Sequence, residues 1–75
     1  MQIIIIDRKG NQFTEKAFFS FKEVFDFCLD DLKNRTPIKD DILYRFKILD
    51  SNEIFTLHGT PNGDDSELYT EINFR

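Results

Sequence analysis

The apolar positions of this chain change their period from segment to segment, and each change marks an element. Ile3 to Ile6 is the longest unbroken apolar run, set within a stretch from Gln2 to Asp7 that predicts a strand. A strand with one buried face alternates apolar with polar residues, so four consecutive Ile call for apolar surroundings on both faces. Arg8-Lys9-Gly10-Asn11 supplies turn chemistry, with Gly10 free to take positive φ. Gln12 to Phe19 reads as a second strand with Phe13, Ala17 and Phe19 on one side. Glu15 interrupts that side, which puts it near an end or an edge.

Ser20 changes the period. Ser20-Phe21-Lys22-Glu23 is a capping box, in which the Ser oxygen takes a free N–H and Glu23 reaches back. Phe21, Val24, Phe25, Cys28, Leu29 and Leu32 then fall at helical spacing and predict one buried stripe. Phe27 lies off that stripe. The pattern fades at Asn34, and Pro37 cannot continue a helix.

Period two returns at Ile42. Ile42, Tyr44, Phe46 and Ile48 alternate with Leu43, Arg45, Lys47 and Leu49 in a third strand. Asp50-Ser51-Asn52-Glu53 is a turn, Ile54 to His58 a fourth strand, and Gly59 to Ser66 a turn-rich loop. Glu67 to Phe74 is the fifth strand, with Leu68, Thr70, Ile72 and Phe74 inward and Glu67, Tyr69, Glu71 and Asn73 outward.

The order is ββαβββ, an α+β domain over residues 1–75. A right-handed crossover from strand two over the sheet places strand three on the far side of strand one. That predicts one helix on an antiparallel five-stranded sheet of order 2-1-3-4-5, with the Ile strand at its centre. A helix of about 14 residues spans only ~21 Å and covers one face. The other face inherits half of the Ile run with Leu43, Leu49, Ile54 and Tyr69, which predicts a homodimer or a partner there.

Composition narrows the class. The chain has 75 residues, 40% of them hydrophobic and 32% charged, a globular mix. No apolar run approaches the roughly 20 residues of a membrane helix. No signal-peptide pattern is present, so a soluble, cytoplasmic protein is expected. A single Cys excludes an internal disulfide and a Cys-based zinc site within one chain. One Ala and three Gly against nine Ile, nine Phe and six Lys favour AT-rich codons. That usage points to a low-GC bacterium or one of its phages.

Charge separates the two ends. Residues 1–47 carry nine Lys/Arg and eight Asp/Glu, whereas residues 48–75 carry six acids and only Arg75. The negative field of a chain with net charge −4 therefore originates in its last third. Asp64, Asp65, Glu67, Tyr69 and Glu71 are the candidate partner-binding residues, facing a protein partner of basic character. The alternative is a nucleic-acid binder using Lys33, Arg35, Lys39, Arg45 and Lys47 with Tyr44 and Phe46 interleaved. The alternation puts those aromatics in the core, and a pI near 4.8 opposes the field nucleic acid needs.

Catalytic candidates are few. His58 is the only histidine, and its place before Gly59 suggests a structural role. Cys28 lies on the apolar stripe as a small hydrophobe. Asp30-Asp31, Asp40-Asp41 and Asp64-Asp65 are adjacent pairs whose side chains point apart. The acidic turns lack the spacing of a calcium loop, and no phosphate-cradling or dinucleotide motif occurs. No catalytic, cofactor or metal-binding residue is assigned. The expectation is a non-enzymatic interaction module, such as a phage or prophage accessory protein acting on a host factor.

Overall fold

Local chemistry sets the element boundaries in the computed structural model, which describes residues 1–35 and 40–71. After strand β1 (Ile3–Ile6), the Asp7 carboxylate accepts from the backbone N–H of Lys9 and of Asn11, at 2.9 and 3.0 Å. Gly10 adopts φ 85°, where any side chain would be strained, and the chain returns as β2 (Gln12–Phe18). Ser20 is extended, and its hydroxyl accepts from the Glu23 N–H at 3.2 Å. The Glu23 carboxylate accepts in turn from the Phe19 N–H at 2.5 Å, so the capping box is complete. Helix α1 (Phe21–Lys33) follows and ends at Asn34.

Three strands complete the sheet: β3 (Ile42–Ile48), β4 (Glu53–Thr60) and β5 (Glu67–Glu71). Asn52 takes φ 59° in the β3–β4 turn, a left-handed conformation that Asn tolerates. A 3-10 turn at Gly63–Asp65 precedes β5. The sheet order is β2-β1-β3-β4-β5 and every neighbouring pair is antiparallel. The expected architecture is the observed one. Pro37, Lys39, Ile72, Asn73 and Phe74 lie outside the described residues.

The core lies between α1 and one face of the sheet. Val24, Cys28 and Leu32 of the helix meet Ile3, Ile5, Phe18, Tyr44, Phe46, Phe55 and Leu57. Aromatic rings run through it as a chain. Phe27 meets Phe18 edge-on at 5.1 Å, Phe18 meets Phe46 at 6.0 Å, and Phe46 stacks on Phe55 at 5.3 Å. Phe55 then receives Phe21 edge-on at 5.5 Å. The helix approaches β4 so closely that a Cβ on Gly59 would stand 2.5 Å from a Leu32 methyl.

Two expectations are corrected. On β2 the buried residue is Phe18, 1% exposed, while Phe13 and Phe19 are 68% and 63% exposed. Strand pairing supplies the reason. Ile3 pairs with Phe18 and Ile4 with Ala17, but Ile6 pairs with Gln12, so residues 13–16 bulge opposite Ile5. Phe18 therefore shares the core side with Ile3, and the bulge breaks strict alternation only for residues 13–16. On the helix, Phe21 is exposed while Phe27 is partly buried on Phe18 beneath the Lys16 ammonium. A single helix over five strands must pack with its flank as well as its central stripe.

Candidate functional site

The strand register fixes what stands on the helix-free face. Ile4 pairs with Lys47 and Ile6 with Arg45, and β4 continues these rows with Ile54 opposite Lys47 and Thr56 opposite Arg45. The next row is Leu43, His58 and Tyr69, and the end of β4 brings Thr60 opposite Glu67. Glu71 holds the position opposite Thr56. His58 is therefore an interior residue of a strand that runs to Thr60, two residues beyond its expected end.

This face is not uniformly apolar. Ile4 and Ile6 are only 8% and 5% exposed, so β1's second set of side chains is already shielded within one chain. Ala17 and the long stems of Lys47 and Arg45 stand beside them in register. The Ile run by itself therefore does not demand a partner. The exposed apolar residues lie farther across, on β3, β4 and β5: Leu43 at 51%, Ile54 at 43% and Tyr69 at 49%. The loop after β4 does not cover them, because its Pro61 is buried and its 3-10 turn packs against α1.

Charge is graded across the same strands. β3 presents Arg45 and Lys47, β4 presents Ile54, Thr56 and His58, and β5 carries Glu67. At the far end Asp41 accepts from the Thr60 hydroxyl at 2.6 Å, and Glu67 stands on the other side of Thr60. The Tyr69 hydroxyl donates to the Glu67 carboxylate. That bond raises the Tyr69 pKa, aided by desolvation and the negative charges of Glu67 and Asp41. Of the candidate residues, Glu67 and Tyr69 are thus joined directly. Asp64 and Asp65 stand apart, exposed in the turn before β5. Asp41 is the acidic neighbour that linear reading missed. The pairing of β3 with β4 brings it there, and continuing the alternation backward from Ile42 would have found it.

A concavity of about 510 Å³ opens at the end of the sheet and is lined by Phe13, Asp31, Arg35, Tyr44 and Arg45 among others. Asp31 and Arg35 in it are engaged with each other. The Asp31 carboxylate accepts from the Tyr44 hydroxyl at 2.6 Å and from Arg35 Nε at 2.8 Å. Burial raises the Tyr44 pKa, and the Asp31 bond raises it further. Burial also pushes the Cys28 thiol up to about 12, helped by the Asp31 charge. Both groups hold their protons near neutral pH, the opposite of what an activated nucleophile needs. No metal-binding group of three or more His, Cys, Asp or Glu occurs among the described residues.

The basic stretch divides as its alternation implies. Tyr44 and Phe46 are buried under the helix, while Arg45 and Lys47 are on the opposite face. Bases and aromatics do not form one stacking platform there. No helix among the described residues is long and apolar enough to cross a membrane. No family model, curated protein or solved structure matches this chain.

Proposed function

We propose that the protein is a non-enzymatic interaction module that binds a protein partner through the helix-free face of its sheet. The observation that carries this reading is the group Leu43, Ile54 and Tyr69, exposed on three adjacent strands and left uncovered by the following loop. Exposed side chains of this size on one side of a face, with polar groups around them, have the anatomy of an interface. Asp41 and Glu67 border it, and Asp64 and Asp65 approach it along the chain. The partner's surface opposite this border is therefore basic. A buried, unreactive Cys28 suits a reducing, cytoplasmic setting. Composition favours a phage or prophage accessory protein acting on a host factor.

The test begins with affinity capture on the full chain, with Tyr69→Ala in parallel, and identifies bound proteins by mass spectrometry. The purified partner is then titrated against both. Loss of this exposed aromatic should weaken binding by about tenfold or more. Equal affinity for both, with Leu43→Ala and Ile54→Ala also unchanged, would refute this reading.

A further inference from the structure

β2 is an outer strand of the sheet, and its sequence makes that edge a hazard. Gln12 to Phe19 holds three Phe, of which Phe13 and Phe19 are exposed. An edge of this kind offers its unpaired backbone N–H and C=O groups as a template for another strand. Room for one exists, because a concavity of about 450 Å³ lies between β2 and α1, lined by Phe18, Phe19 and Phe27 among others.

The outward groups of this edge are nevertheless engaged by side chains of the same chain. The Leu49 N–H donates to the Gln2 carbonyl, so Gln2 and Ile4 direct their backbone groups toward β3. Ala17, opposite Ile4, therefore turns its own groups outward, and Phe19 follows two residues on. The Phe19 N–H, however, donates to the Glu23 carboxylate at 2.5 Å. Toward the other end, the Lys16 N–H donates to Thr14 Oγ1 at 3.3 Å, and Gln12 Nε2 donates to the Thr14 carbonyl at 2.7 Å. The first of these is the local turn that a Thr hydroxyl makes two residues on, and it falls within the bulge. Between the two ends Ala17 offers one N–H and one C=O, too few to hold a strand. Lys16 adds a charge, its ammonium standing 5.4 Å from the Phe18 ring centre and 5.2 Å from that of Phe27. That places it at the gap an added strand would enter. We propose that Gln12, Thr14, Lys16 and Glu23 close the β2 edge, so that a second copy of the chain cannot add its own strand there. Glu23 then has two roles at one junction, starting the helix and ending the free row of the strand.

The test compares a chain carrying both Gln12→Val and Thr14→Val with Thr14→Ser, which keeps the hydroxyl. Sedimentation velocity follows self-association from micromolar to several hundred micromolar, and amide exchange read by NMR locates it. The double variant should self-associate at least about tenfold more tightly than the parent, as freed backbone groups enter bonds between copies. Its Lys16 and Ala17 amides should gain protection as concentration rises. Thr14→Ser should match the parent in both measurements. If the double variant does not fold, Thr14→Val alone, a near-isosteric change, is read in the same way with a smaller effect. A variant that associates no more than the parent would overturn the proposal. So would association that leaves the β2 amides exchanging as in the monomer, or a Thr14→Ser chain that behaves like Thr14→Val.

Discussion

The two faces of one sheet are built from the same strands and are buried to opposite degrees. β3 gives Ile42, Tyr44, Phe46 and Ile48 to the helix side, where they join or pack against the core. From the same backbone it gives Leu43, Arg45 and Lys47 to the other side, where Leu43 is exposed and the cations are half-buried. The helix-side face is held by linked aromatic rings and carries the stability. The helix-free face contributes little to folding beyond shielding Ile4 and Ile6. On the proposed function recognition is separated from stability by the thickness of one sheet, and substitutions on the two faces should act on different measurements.

The largest contrast tests that separation directly. Phe46 is fully buried between Phe18 and Phe55. Truncating it to Ala should cost on the order of 3–5 kcal/mol, much of a small domain's stability. Ile54→Ala, on β4's other face, should cost less than about 1 kcal/mol at concentrations where the chain is monomeric. Urea unfolding of both variants checks the pair. Comparable losses would mean that the two faces share the core and that the separation is wrong.

Gly59 sharpens the comparison from the backbone side. It lies on the helix side of β4, opposite Ile42 and Leu68, where the Leu32 side chain occupies the space a Cβ would need. Leu32 is fully buried, so its methyls have little room to retreat. Gly59→Ala should lower stability by about 1–3 kcal/mol through overpacking. Relief by Leu32→Val in the same chain, read in the denaturation midpoint, would show that the collision is the cause. A Gly59→Ala protein as stable as the parent would show that the helix moves freely over β4.

Most of this arrangement was legible in the sequence, for physical reasons that also explain the misses. The Ile3–Ile6 run has only one comfortable place in an antiparallel sheet, the centre, and the crossover rule then orders the other strands. The Ser20–Glu23 box marks the helix start because its bonds are local and belong to no tertiary context. Phe18 and Phe27 were misread because each depends on something beyond its own segment. Phe18 faces the core because it pairs with Ile3, and Phe27 packs because β2 lies at the helix flank. At the candidate site, Glu67 and Tyr69 followed from alternation. Asp41 did not, since it joins Thr60 only through strand pairing nineteen residues apart.

The faces should also differ in alkali. Burial raises the Cys28 pKa from 9.0 to about 12, and Tyr44 is raised from 10.0 in the same core. A group protonated more firmly when folded than when unfolded stabilises the fold below its unfolded pKa. That contribution is lost as pH rises toward the folded value. Stability should therefore begin to fall near pH 9 and continue downward to about 12. In Cys28→Ala the earlier part of that decline should disappear, leaving the later part due to Tyr44. Tyr69, raised by its Glu67 bond but half-exposed, should contribute little, so Tyr69→Phe should leave the profile almost unchanged. Chemical denaturation across this range checks all three proteins. A parent whose stability is level from pH 8 to 11 would contradict the burial of these groups.

The smallest stability effect belongs to Glu67→Lys, and there the two faces separate most cleanly. Glu67 is exposed on an edge strand, and its described bond is to the solvated Tyr69 hydroxyl. Losing that bond should change stability by no more than about 0.5 kcal/mol, the range of ordinary surface substitutions. Lys at this position also stands near Asp41 across Thr60, which offsets part of the loss. Its effect on recognition should be larger, because the charge on the border of the docking face reverses. Stopped-flow association with a basic partner should slow relative to the parent, and added salt should shrink the difference by screening both proteins. Dissociation should change less than association, since a border charge steers encounter more than it holds the complex. A variant that melts like the parent and also associates at the parent's rate, at low and high salt alike, would show that β5's carboxylates only protect an exposed edge from other strands.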